Sequence, residues 1–378
     1  MKFSSITGQR ATKERLLQSV QQNKVSHAQI LFAPEGAGGL PLAIAYAQYL
    51  NCSDRAENDS CGQCSSCIKM QKLIHPDVHF SYPVIPRKPG DKPVALDYIN
   101  EWRKEILNNP YLGYLDWMAA INAENKQGNI TISECHNIIR KFSLKAFEGG
   151  YKILIMWLPE FLGKEGNALL KLLEEPPERT VFLLVSQDQE KILSTILSRT
   201  QALQIPRLKD EEVQQFLIRE KGISQEEAGQ LSHLAEGNLN QAMSLSSAEK
   251  ANFLDDLRNW MRICYTLSKS GIGLLKWVDS MAGIGRENQK NFLRYATHLF
   301  RECLLQQHGL AQLQRMTLEE QDFIGNFSKQ LDDDKISQLT LEFDQAHYHV
   351  ERNANPKITF FNLSLTVYRL LRQKPVAA

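Results

Sequence analysis

The sequence predicts an α/β domain built on a parallel sheet, followed by helices alone. Short, nearly all-apolar runs alternate with helically spaced segments through residue 205, the pattern of central strands buried on both faces. A glycine-rich stretch leaves the first of these runs and enters a helical pattern. After Pro206 the strand-like runs stop. Alternation first and helices afterwards is the signature of an α/β layer with helical domains appended.

The expected strands are Gln29 to Ala33 (QILFA), Lys152 to Leu158 (KILIMWL) and Val181 to Ser186 (VFLLVS). Thr131-x-x-Glu134 is a capping box that predicts a helix through about Lys145. Asn167 to Glu175 (NALLKLLEE) has apolar residues at helical spacing and stops at Pro176-Pro177. Between 76 and 128 the pattern weakens. Prolines 83, 86, 89 and 93 precede an aromatic segment with Trp102, Tyr111, Tyr114 and Trp117, which reads as an insertion on the domain surface. Residues 207–247 form a small helical bundle, with Ser224-x-x-Glu227 as a second capping box and Gly237 as a helix stop. Asn355-Pro356 opens the last helix as N-cap and first-turn proline, with Phe361, Leu365, Tyr368 and Leu371 on one face. Lys374–Ala378 is expected to fray.

At 378 residues the chain has room for two or three domains, and a net charge of +1 gives it no global basic field for nucleic acid. The first residues carry no apolar stretch of signal-peptide length, and runs such as Ile153 to Leu158 are too short to span a bilayer. A cytoplasmic location is expected, where thiols stay reduced.

That compartment bears on Cys52, Cys61, Cys64 and Cys67, spaced C-x8-C-x2-C-x2-C. Four thiolates suit a tetrahedral zinc ion and leave no open coordination position, so the expected zinc is structural. An iron–sulfur cluster and a metal-free group of thiols are the alternatives. His75 and His79 read as ordinary polar residues, and Cys135, Cys264 and Cys303 as small core residues.

Ala33 to Leu40 (APEGAGGL) stands between a strand and a helix, the place of a phosphate-binding loop G-x-x-x-x-G-K-[ST]. Gly36 and Gly38 preserve a tight backbone. Gly39 replaces the lysine that would reach the β- and γ-phosphates, and Leu40 replaces the hydroxyl that would ligate magnesium. A second site is depleted too. Where a magnesium-binding Asp and a catalytic Glu would end a strand stand Trp157 and Leu158, with Glu160 two positions late. The expectation is no ATP hydrolysis and no tight ATP binding.

Phe3 to Gln9 (FSSITGQ), Ser26-His27-Ala28, the cysteine cluster, Asn167 to Pro177 (NALLKLLEEPP) and Thr195 to Thr200 (TILSRT) together resemble the bacterial clamp-loader branch of the AAA+ ATPases. The resemblance covers roughly the first 240 residues. An intact cysteine cluster beside a broken phosphate loop is similar to the delta-prime group of the DNA polymerase III clamp loader in particular.

The resemblance implies an AAA+ domain over 1–206 carrying the zinc module (52–67) and the insertion (about 76–128). A helical lid over 207–247 and an all-helical collar over 248–378 would follow. It implies that Arg199, in Ser198-Arg199-Thr200, is an arginine finger acting in trans, and that Asn240 stands where an ATP-sensing arginine would follow Gly237. The implied partners are clamp-loader ATPase subunits and a delta subunit in a hetero-oligomer, with the sliding clamp and primed DNA reached indirectly and no membrane. The alternatives are an active ATPase with a substituted loop, a zinc-based nucleic-acid-binding protein, and an AAA+ scaffold outside replication.

Overall fold

The structure is a computed structural model describing residues 1–123, 126–247, 253–267, 271–314 and 316–372. The chain divides into two compact units. One comprises Met1–Phe216 with Glu236–Gln241, the other Leu217–Ala235 with Ala242–Ala378. The expected boundary at 248 and the expected frayed end Lys374–Ala378 lie outside the described residues.

The first unit is built on five parallel strands: β1 (Ala28–Phe32), β2 (Val78–Ser81), β3 (Lys152–Trp157), β4 (Thr180–Ser186) and β5 (Gln201–Gln204), in the order β2-β3-β4-β1-β5. The three apolar runs are the three inner strands, as their composition predicts. β2 and β5 were not anticipated. They are four residues long and lie at the sheet edges, where Gln201 and Gln204 are exposed and no continuous apolar run is needed.

The pleat sorts the inner strands into two cores. Leu31, Ile153, Ile155, Trp157, Leu183 and Val185 face one side. Ile30, Phe32, Leu154, Met156, Phe182 and Leu184 face the other, against the helix Ile132–Phe142. That helix begins as expected, with Thr131 Oγ accepting from the Glu134 amide at 3.2 Å. The reciprocal half of the box is redirected, since the Glu134 carboxylate accepts from the Ala95 amide at 3.0 Å.

The 76–128 segment does not lie on the domain surface. It contributes β2, and Tyr82, Trp102 and Trp117 are wholly buried in the first core. Tyr82 stacks on Trp102 at 4.0 Å, and Trp102 packs on Trp157 of β3 at 5.4 Å. The segment is pinched shut where Val84 and Asn129 exchange amide–carbonyl bonds of 3.0 and 2.9 Å. Its prolines and scattered aromatics hide a core element because its apolar residues follow neither helix nor strand period.

Among the described residues no strand follows Gln204. The second unit is a helical bundle. Its core centres on Trp260, which stacks on Trp277 at 4.6 Å and donates to Ser364 Oγ at 2.9 Å. Asn355 caps the final helix, Pro356–Arg372, accepting from the Lys357 amide at 3.0 Å. The buried face of that helix is Phe360, Leu363, Ser364, Val367 and Leu370, shifted one to two residues from the predicted stripe, and Phe361 is exposed. Both stripes have helical spacing, so periodicity alone could not choose between them.

Candidate functional site

The four cysteines converge. Cys52 ends the helix Gly39–Asn51, and Cys64 caps the short helix Ser65–Gln71 that carries Cys67. Their sulfurs all lie within 4.8 Å of one another, with separations of 3.5 Å (Cys52–Cys61), 3.9 Å (Cys61–Cys67) and 4.0 Å (Cys52–Cys64). A tetrahedron of sulfurs about 2.3 Å from zinc has edges of about 3.8 Å. The group is therefore shaped to coordinate one metal ion.

Amides supply an outer shell. Cys61 N–H points at Cys52 Sγ (3.3 Å), Gln63 and Cys64 N–H at Cys61 Sγ (3.4 and 3.3 Å), and Cys67 N–H at Cys64 Sγ (3.5 Å). At Cys64, burial raises the thiol pKa but is outweighed by the Cys67 amide and Ser53, which bring it down to about 6. Burial pushes Cys67 upward. His75 faces Glu148 at 3.3 Å and His79 packs edge-on against Phe142, so neither belongs to the cluster. Cys135, Cys264 and Cys303 are buried singly, as expected.

The Ala33–Leu40 stretch links β1 to the helix Gly39–Asn51 at the carboxyl edge of the sheet, where ligands bind in α/β folds. Gly36 (φ +70°) and Gly38 (φ +97°) take the left-handed backbone that the turn requires. Gly39 is fixed by space instead. A Cβ there would lie 2.5 Å from Ala33 Cβ and 3.0 Å from Val185 Cγ1, so a side chain at Gly39 would force its surroundings to shift. Leu40 is buried in the core.

Trp157 and Leu158, at the end of β3, are also buried. Leu158 holds φ +57°, a left-handed conformation costing an L-residue about 1–2 kcal/mol. Glu160 is turned away to accept from the Gln187 amide at 2.9 Å, and burial raises its carboxyl pKa.

Among the polar residues that hold this loop and the 236–241 loop, sequence reasoning singled out Asn240 alone. Asn240 Nδ2 donates to Asp116 at 2.6 Å, and its Oδ1 accepts from Asn109 at 2.7 Å. Asn238 lies over Gly36, where a Cβ would meet Asn238 Oδ1 at 1.9 Å, and donates to Glu35 at 3.3 Å. Leu239 N–H bonds to Gly36 O at 3.2 Å. Gln9 Nε2 donates to the carbonyls of Ala37 (3.0 Å) and Pro206 (2.7 Å). Gln9 lay within a quoted motif, but no local signal marks Asn109, Asp116 or Asn238.

Arg199 stands apart from these groups, just before β5. Its Nε donates to Glu174 Oε1 at 2.6 Å, and Nη1 to Thr195 O at 2.8 Å and Ser198 Oγ at 3.1 Å. Thr200 Oγ bonds back to the Ile196 carbonyl at 3.1 Å.

Residues 8–209 match the protein-family model described as DNA polymerase III, delta subunit. The chain belongs to that family. It is 26% identical over 306 residues to the DNA polymerase III subunit delta' of Escherichia coli, covering 79% of this chain and 76% of that one. Identity to the delta' subunit of Pseudomonas aeruginosa is 28% across 46% of this chain and 41% of the relative. With the tau/gamma subunit of Haemophilus influenzae it is 23% across 65% of this chain and 30% of the relative. A gamma-subunit-related protein of Thermotoga maritima aligns over 97% of this chain and all of its own length, at 15% identity and a TM-score of 0.40. No described helix is long and apolar enough to cross a membrane.

Proposed function

We propose that this chain is a non-hydrolysing, delta-prime-like subunit of a DNA polymerase III clamp loader. In this reading its ATP-hydrolysing neighbours open the sliding clamp and place it on primed DNA. Residues 207–247 act as a lid, and the helices after 248 form the collar that joins the chain to ATPase and delta subunits. The cysteine cluster holds a structural zinc.

The observation that carries the silent site is the packing at Gly39. The loop lacks the lysine, and its backbone also lies so close to Ala33 and Val185 that a side chain there would force its surroundings to shift. Neither Trp157 nor Leu158 can ligate a metal or activate water, and Glu160 bonds to the Gln187 amide. Family membership supports the replication context.

Arg199 is the residue through which the chain acts on a neighbour. Its guanidinium is held by Glu174 and by the carbonyl of Thr195, which fix its direction. A neighbour's γ-phosphate competes with Glu174 for the same fork, and the cation then offsets charge spreading in phosphoryl transfer.

The test is DNA-stimulated ATP hydrolysis by the reconstituted complex, comparing wild type with Arg199→Ala after equal assembly is confirmed. A trans-acting arginine is worth on the order of 10³–10⁵ in rate elsewhere, so hydrolysis at the site it serves should collapse. Unchanged hydrolysis would leave a scaffold role, and failure of the wild-type chain to assemble would remove the clamp-loader reading itself.

A further inference from the structure

We infer that the 76–128 segment serves as an internal surrogate for nucleotide, holding the Ala33–Leu40 loop and the Glu236–Gln241 loop together with no ligand bound. The inference rests on the reading of Ala33–Leu40 as a former phosphate loop.

The segment reaches both halves of that site. On the phosphate side, Gly113 lies against the Glu35 carboxylate, and Tyr111 touches Gly38 while accepting from the Thr7 amide at 2.9 Å. Asn109 and Asp116 grip the two ends of the Asn240 amide, at 2.7 and 2.6 Å. Asn238, two residues earlier, presses on Gly36. Two polar links thus hold the Glu236–Gln241 loop, one from Asn238 to Glu35 of the phosphate-side loop and one from Asn240 to the segment.

On the side where a metal and an attacking water would be held, the segment supplies rings. Trp102 packs on Trp157, and Tyr114 stacks on Phe161 at 4.6 Å. Asp116 is itself fixed, accepting from the Gly113 amide at 2.7 Å as a helix cap, so its second contact to Asn240 costs little ordering entropy. Satisfied polar chains of this kind specify one arrangement of the segments they join.

The test is amide hydrogen exchange on the full chain, with and without magnesium ATP, for wild type, Asn240→Ala and Asn240→Asp. The alanine variant removes both bonds, and the aspartate sets a second carboxylate against Asp116. Amides of β3 and β4 gauge global folding. Exchange in 236–241 and 109–116 should quicken about tenfold in the alanine variant, the worth of a hydrogen bond to a charged group, and more in the aspartate variant, with β3 and β4 unchanged. Exchange unchanged in both variants, or quickened equally in β3 and β4, would overturn the surrogate. Slowing by ATP in the wild type would instead overturn the silent-loop reading, a failure visible without either variant.

Discussion

Individual side chains account for most of the chemistry of this chain. If the cysteines hold one zinc, metal analysis of native protein should return one ion per chain, and Cys64→Ser should bind markedly less. Acidification should release the ion as the thiolates protonate, with loss of the Ser65–Gln71 helix. Finding four free thiols and no metal in native protein would count against it.

His79 gives a separate pH signature. Burial, with Lys141 and Lys152 nearby, lowers its pKa to about 4 from an ordinary 6.5. The folded state therefore binds fewer protons than the unfolded chain across that window. Stability contributed by neutral His79 is whole above pH 6.5 and is lost as pH falls through about 4, on the order of 3 kcal/mol. His79→Phe should flatten the stability profile between these values in denaturant titrations, and an unchanged slope would contradict the assignment. Glu134 runs in the opposite sense. Burial raises its pKa, so its ionisation weakens the fold as pH rises above the ordinary carboxyl range.

At the scale of elements, the 76–128 segment behaves as core. A surface insertion could be shortened at little cost, because loop closure depends weakly on length. Replacing residues 86–127 with a short turn should here strip Trp157 and Tyr82 of their partners, lowering the thermal midpoint sharply or abolishing soluble expression. Trp102→Ala should cost about 3–5 kcal/mol in equilibrium unfolding, the usual penalty for emptying a large aromatic site. A loss below about 1 kcal/mol would mean that the tryptophan cluster is dispensable. The last helix shows a subtler element-level effect. Its period was readable, but its rotation about its own axis was set by Trp260 and Trp277, which pack beside Ser364 and Phe360.

For the whole molecule, the two compact units divide the 207–247 stretch, whose helices are Asp210–Lys221, Gln225–Ala235 and Leu239–Ser247. Glu236–Gln241 belongs with the α/β unit, anchored by Asn238 and Asn240. The proposed division into lid and collar is a functional one, to be tested in the assembled complex. There, Arg199→Lys should fall between wild type and Arg199→Ala in ATP hydrolysis. The ammonium keeps the charge but lacks the planar fork. Equal activity of the lysine and wild-type chains would make charge alone sufficient.

The sequence by itself determined the three inner strands, because a strand buried on both faces must be apolar throughout. It also determined the four-cysteine cluster able to hold a metal, because ligand type and spacing are local, and the caps at Thr131 and Asn355, where one side chain meets its own helix. That Gly39, Leu40, Trp157 and Leu158 offer no cation, hydroxyl or carboxylate was likewise legible as residue identities. Only the tertiary structure decided the edge strands, the burial of Trp102 and Trp117, the face of the last helix and the cover of Asn109, Asp116, Asn238 and Asn240 over the loop. Each of these depends on a partner far away in the chain, up to 203 residues for Asn238 and Glu35. Local periodicity carries no information about such a partner, since it is supplied by packing once the sheet has formed.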